Sequence, residues 1–564
     1  MKIKRLLIFL LGISFLTSCF DNHPKADMVL FNSNIYTVNS LEPKAEAIAI
    51  KEGKIVYVGN NVNANNWVTD STQVLDLSGM TIVPGFIEGH GHIMGMGFKK
   101  LNLDLSNAKS FDQIIKMVEK KANSMENGEW IIGRGWHQEK WTTSGEPLIA
   151  GFPINKRLSE ISPKNPVVLE HASGHAILVN QAAIQLSGIK HLKGVQENAD
   201  IIKDSNGNLT GIFSEGSMGL IKSNIPERSD ERRIEALNYA IEECLSNGVT
   251  SFQNAGTDQQ TINLFHSFLK NDMLKIRMYA MIKGRDHQLV ENWFVHGPSI
   301  GLGNNFLTIR SIKLVADGAL GSRGALLMDD YTDAPDQRGS RIQSLDYIMR
   351  TSEKAFNKGF QINTHCIGDQ ANKDLLDIYE IVFQSDTTKK NSRFRIEHAQ
   401  HLRNEDIPRF GQMGVIPSVQ AIHHSSDRPW AIDRLGKERI ENGSYPWRSL
   451  IDSGAKVMNG TDVPVEPISP IANFYASVSR KTLFGGPDGG YEPKEKMSRQ
   501  EALESMTINA AFGAFEDVFK GSIEVGKVAD FAVLSQDIMK VSEAEILNTE
   551  VLYTVVDGKV VFKK

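Results

Sequence analysis

Cysteine is scarce in this chain: three residues in 564, at positions 19, 244 and 366. Cys244 and Cys366 lie far apart in separate strand-like regions, so a disulfide framework is not expected. Positive charge is not in excess either. Sixty-two Lys and Arg stand against 67 Asp and Glu, a formal net charge of -5, which offers no basic face to a nucleic acid. Charge runs, low-complexity tracts and short-period repeats are lacking. There is no phosphate-binding glycine loop, dinucleotide fingerprint or nucleophile elbow, which removes the usual signs of nucleotide chemistry and of serine hydrolases. No apolar run is long enough to cross a bilayer. The run Leu6 to Leu16 follows Lys2, Lys4 and Arg5 and has the form of a secretory signal peptide.

What is present is an ordinary globular composition, 41% hydrophobic and 23% charged. The leader ends in Leu16-Thr17-Ser18-Cys19, which resembles a bacterial lipoprotein box. That resemblance implies cleavage after residue 18, lipid on Cys19, and a chain held to a membrane of the cell envelope after export. From Asp27 to Val83 the pattern is β, with Glu52-Gly53 as a hairpin turn between Ala47–Ile50 and Ile55–Val58. The same grammar returns at Ala529–Leu534 and from Thr554 to Phe562. Residues 19–83 and 516–564 are therefore expected to pair into one small discontinuous β-sandwich.

Between them, residues 84–515 alternate short apolar strands with helical stretches. Eight strands are expected: Thr81–His92, Gly248–Ala255, Leu274–Met281, Leu307–Asp317, Gly359–His365, Arg393–His398, Val415–Val419 and Ala455–Asp462. Strand–helix repetition implies parallel pairing with right-handed crossovers, and eight units fit a closed (β/α)₈ barrel of the TIM type. The stretch from about 93 to 247 is too long for a loop and is expected to hold an inserted subdomain over the barrel mouth.

Catalytic groups in such barrels sit at the C-terminal ends of strands. His90 and His92, two apart at the end of the first strand, point to the same side. His365 ends the fifth strand, His398 the sixth and Asp462 the eighth. Singly each has an ordinary structural explanation; together they form a donor set suited to a divalent metal. Asp462 and His365 are the candidate catalytic residues.

The segments Val83–His92, Ile312–Arg323, His365–Asp369, Arg395–Gln400, Gly460–Pro464 and Gly521–Asp530 together resemble the amidohydrolase superfamily, in its amidohydrolase-3, YtcJ-like branch, over nearly the whole mature chain. Glu88 stands where Asp is common and Thr461 where Ser is common; neither change removes a ligand. The resemblance implies a metal-dependent barrel hydrolase carrying two divalent cations, most simply Zn²⁺, held by His90, His92, Lys313, His365, His398 and Asp462. Lys313 would be carboxylated, because a free ammonium repels a cation whereas a carbamate offers two anionic oxygens. It also makes His175 a substrate contact, with His171, Trp136 and Arg323 beside it; Arg323 would hold a substrate carboxylate or else brace the loop after the fourth strand. Arg134 and His137 share this region.

The expected activity is hydrolysis of a C–N bond, an amide or N-acyl group, in a small molecule, with Asp462 shuttling the proton. Deamination, ester or lactone hydrolysis, and metal-dependent isomerase or lyase chemistry use similar parts, and a non-catalytic binding protein would be marked by lost ligands. The partners expected are the small-molecule substrate and, as one option, further copies of the same chain in a homo-oligomer.

Overall fold

A computed structural model describes residues 25–138, 141–142, 148–171, 176–189, 200–388 and 391–564. The leader, Cys19 and His175 lie outside them. Eight parallel strands form the central sheet, called here β1 Phe86–Gly91, β2 Val249–Thr257, β3 Arg277–Lys283, β4 Leu307–Val315, β5 Gln361–Cys366, β6 Arg395–His398, β7 Ile416–Val419 and β8 Met458–Asn459. They are hydrogen-bonded in that order from β1 to β8. Helices such as Asp230–Ser246, Leu345–Lys358 and Asp369–Gln384 connect them and bury one apolar face each against the barrel. The fold is thus the α/β barrel the alternation predicted.

Two strands differ from expectation. The run Thr81–His92 is broken at Pro84-Gly85. Thr81–Pro84 leaves the barrel and pairs with Asn34–Tyr36 and with Phe531–Leu534, and only Phe86–Gly91 enters it. The last strand keeps two residues of the expected eight-residue run, because Gly460 and the left-handed Asp462 (φ 56°) leave extended geometry early.

β8 and β1 share no strand ladder, and side chains close this seam. Glu88 accepts hydrogen bonds from the Thr461 amide (2.7 Å), the Thr461 hydroxyl (2.7 Å) and the His90 amide (3.1 Å), and the Asp462 amide donates to the His90 carbonyl at 2.7 Å. The two departures from the usual family pattern are therefore partners. The approach requires glycine on both sides. A Cβ on Gly460 would come within 2.4 Å of the Glu88 carboxylate, and one on Gly89 within 2.5 Å of the Asn459 carbonyl.

The chain ends meet in two sheets, of four and six strands. Met28, Leu30, Ile48 and Ile50 from one pack against Ile35, Ile82, Phe531 and Val555 from the other. Arg277 ties this layer to β3: it is buried and donates to Asp530 (2.7 Å) and Asp557 (3.1 Å). The long insertion carries its own six-stranded sheet, from Leu103–Asp104 to Leu209–Ser214, with an apolar core of its own. Cys244 and Cys366 are buried and free. No helix among the described residues is long and apolar enough to cross a membrane.

Candidate metal centre

The strand-end side chains converge at the C-terminal mouth of the barrel. His90 is fully buried. Its Nδ1 hydrogen bonds Glu397, itself fully buried on β6 and held by Arg395 Nε at 2.7 Å. That contact fixes the tautomer and turns His90 Nε2 inward, 3.3 Å from Lys313 Nζ and 3.8 Å from Asp462 Oδ1. Burial, with Lys313 alongside, lowers the His90 pKa to about 4, so its Nε2 carries a lone pair at neutral pH.

His92 follows the same logic. Its Nδ1 lies 2.9 Å from the Ala255 carbonyl and must donate there, so in the neutral ring Nε2, 3.2 Å from Asp462 Oδ1, is the nitrogen left to bind a cation. His398 places Nδ1 on Gln420 Oε1 at 2.6 Å and likewise frees Nε2; burial keeps it neutral. Its ring stands 4.4 Å from that of His365 and 4.9 Å from that of His90. His365 has a buried, unpartnered Nε2 3.6 Å from Asp317 Oδ1, and burial with Lys313 nearby brings its pKa to about 3. Asp317 holds the loop after β4 in place, accepting from the amides of Leu326, Ile367 and Gly368 at 2.8–3.0 Å.

Asp462 is buried, and its Oδ1 has no hydrogen-bond donor. Bare imidazole nitrogens facing a bare carboxylate oxygen repel unless a cation lies between them. Two donors bound to one tetrahedral Zn²⁺ at its usual bond lengths stand about 3.3 Å apart. The 3.2 and 3.8 Å separations around Asp462 Oδ1 suit that arrangement, and His90, His92 and Asp462 form a triad able to hold a divalent ion. His398 (φ 77°) and Asp462 (φ 56°) both adopt left-handed backbone, strain of the kind that collects at functional sites.

Lys313 is buried beside His90, and burial lowers its pKa even with Glu397 and Asp462 near. A neutral amine is the form that can take up carbon dioxide.

Three residues expected at a substrate pocket have other roles. Trp136 is fully buried, its indole donates to the Leu169 carbonyl (2.9 Å), and it packs edge-on against His171. His171 in turn packs on His137 and Phe152. Trp136 and His171 thus build the insertion's interior. Arg323 does not await a substrate carboxylate, because Asp333 supplies one: Nε and Nη2 donate to its two oxygens at 3.1 and 2.9 Å, bracing the loop after β4. Arg134 is exposed and paired with Glu170.

No motif in the sequence marked the end of β7, yet this end carries Gln420, the partner of His398, and His423, whose Nε2 lies 4.0 Å from Asp462 Oδ2. The His423-His424 pair directly after a barrel strand was the available signal.

Comparison with known proteins agrees with this geometry. Residues 73–562 match the amidohydrolase family. Protein LONG AFTER FAR-RED 3 of Arabidopsis thaliana is 32% identical over 546 residues, covering 95% of this chain and 91% of that protein. N-substituted formamide deformylase of Arthrobacter pascens is 26% identical over 550 residues, 94% and 97% of the two chains. A metal-dependent hydrolase from Pyrococcus horikoshii superposes with a TM-score of 0.76 at 27% identity, over 92% of this chain and 99% of that one. The chain belongs to the amidohydrolase family.

Proposed function

We propose that this protein hydrolyses a C–N bond of an N-acyl or N-formyl amine, with His90, His92 and Asp462 holding a divalent cation, most simply Zn²⁺. The observation that carries this is the buried, donor-free Asp462 Oδ1 facing two imidazoles whose other nitrogens are already committed. Similarity over 94% of the chain to an enzyme named as an N-substituted formamide deformylase supports the bond class.

The bound cation supplies Lewis acidity to the scissile carbonyl and lowers the pKa of a water molecule. The protein does the rest. Asp462 accepts a proton from the attacking water and delivers it to the departing nitrogen, so that amide and water become acid and amine. His365, neutral and unpartnered, is the second group touching the reacting atoms. Glu397 keeps His90 in the tautomer that presents Nε2. Lys313 in its carboxylated form adds two anionic oxygens to the centre. The test is a screen of N-formyl and N-acyl amines with the purified protein, before and after chelation and Zn²⁺ return. Turnover that chelation abolishes and Zn²⁺ restores is expected; turnover indifferent to chelation would refute the assignment.

We also propose that Cys19 carries lipid and anchors the exported chain to a membrane of the cell envelope. The support is the order of basic start, apolar run, small residues and cysteine.

A further inference from the structure

The helix Ala421–Glu441, which follows β7, carries polar residues along the mouth that the reaction above does not use. His423 stands in its first turn, 8% exposed, and its Nε2 has no hydrogen-bond partner, 4.0 Å from Asp462 Oδ2. Asp427 stands one turn further along the same helix face. Glu466 joins it from the loop after β8, four residues beyond Asp462, and accepts from the Ser426 hydroxyl at 2.5 Å.

Packing sets these directions. The helix's first amides, Ala421 and Ile422, donate to the side chains of Asn459 (3.1 Å) and Asn473 (3.0 Å), so the helix start is pinned to the end of β8. The neighbouring His424 is fully buried between Tyr445 and Trp447, at 5.1 and 5.4 Å between rings. Consecutive helical residues point about 100° apart, so anchoring His424 in this aromatic cage leaves His423 facing the mouth. Asp427 is held from the β6 side. The Tyr445 hydroxyl donates to its Oδ2 at 3.2 Å and accepts from the side chain of Gln400, two residues past His398, at 2.7 Å.

This rim lacks positive charge. Among the described residues neither Asp427 nor Glu466 is paired with a Lys or Arg. The adjacent Arg428 is taken by Glu492, at 2.7–3.2 Å. Burial raises the Asp427 pKa against the pull of His423 and Tyr445, and Glu466 adds to the rise. Two carboxylates and a buried, unpartnered imidazole thus stand at one side of the mouth with no cation of the protein's own between them.

We propose that Asp427 and Glu466 bind a second positive charge on the substrate, so that the amide cleaved at Asp462 belongs to a diamine: an N-acyl or N-formyl amine with a free ammonium at its far end. His423 lines the path between the two. Four residues of helix rise about 6 Å, which sets Asp427 a short alkyl spacer beyond His423. The proposal rests on the preceding section for the bond class alone.

The experiment compares 1,5-diaminopentane with 5-amino-1-pentanol, equal in length but with one ammonium replaced by a hydroxyl. Both are titrated into the Zn²⁺-loaded full chain by calorimetry, and their mono-N-formyl derivatives are tested as substrates. The diamine is expected to bind about tenfold more tightly, and its derivative to have a kcat/KM higher by a similar factor through KM, as a charged hydrogen bond of partly buried groups implies. Asp427→Asn and Glu466→Gln, both checked for parental circular dichroism, should bring these ratios toward one, and Asp427→Glu should keep part of them. The proposal is overturned if the parent treats the two ligands alike, or if the ratios survive in both charge-neutral variants. The bond class fails separately. If the diamine binds preferentially and Asp427→Asn abolishes that preference while neither derivative is hydrolysed, the ammonium site stands and the bond class does not. Equal hydrolysis of both derivatives, with equal binding of both ligands, keeps the bond class and overturns the ammonium site.

Discussion

Replacing Glu397 by Gln would remove the negative charge from a pocket in which Arg395 has no contact with water. Both residues are fully buried. Arg395 donates to Glu397 (2.7 Å), Gln253 (2.5 Å) and the Gly89 carbonyl (2.9 Å). Removing one partner of a buried ion pair costs about 3–5 kcal/mol, and the three neutral acceptors that remain, Gln253, the Gly89 carbonyl and the Ser418 hydroxyl, put the loss at the lower end, about 3 kcal/mol. The amide also cannot accept from both His90 Nδ1 and Arg395 Nε as the carboxylate does, so His90 loses its enforced tautomer. Loss of such a support typically weakens metal binding by about 10–100-fold. Acid unfolding should change as well. Burial alone would raise the Glu397 pKa, but the charges of Arg395 and His90 hold it well below its ordinary 4.5. Its contribution is therefore complete above about pH 4.5 and is lost as pH falls below that, so Glu397→Gln should flatten this part of the stability–pH curve. The assays are urea unfolding of the metal-free chain across pH and Zn²⁺ calorimetry. A variant within about 1 kcal/mol of the parent, with unchanged Zn²⁺ affinity, would refute the reasoning.

Lys313→Ala should lower cation content and turnover together, with short carboxylic acids restoring part of both by replacing the carbamate oxygens; unchanged metal and turnover would make Lys313 structural. Cys19→Ser should move the protein from the membrane fraction to the soluble one or block its maturation, as fractionation and intact-mass measurement would report. Thr461→Val keeps the shape of the β1–β8 seam but removes one of the three hydrogen bonds on buried Glu88; it should cost about 1–3 kcal/mol of unfolding free energy, and a neutral result would mean the seam is held by backbone alone.

Much of this architecture was legible because burial writes a period into the chain. Parallel strands covered by helices read as short apolar runs, and four of the eight runs ended in the polar residues that the mouth now gathers: His90 and His92, His365, His398, Asp462. What escaped was set by contacts distant in sequence. Gly460 and Asp462 shorten β8 because Glu88, more than 370 positions earlier, takes the Thr461 amide. His423 sits past a strand end on a helix, where one more histidine carries no periodic signal; only the Asn459, Asn473 and His424 anchors reveal its direction. For Trp136 and His171, and for the choice left open at Arg323 between a substrate carboxylate and the loop after the fourth strand, the sequence held no deciding signal for a related reason. An indole or guanidinium has the same appearance in sequence whether its partner is a substrate or Leu169 and Asp333 of its own chain.

The central claim, a metal-dependent hydrolysis in which Asp462 carries the proton, is tested most directly by Asp462→Asn, with bound metal and kcat measured on the same preparation. The amide keeps the size and one acceptor oxygen but cannot take the proton from water. Metal retained largely at the parental level, with kcat on an N-formyl or N-acyl amine lower by about 10²–10⁴-fold, is the expected result. A variant that holds metal as the parent does and turns over within a few fold of it would contradict the account.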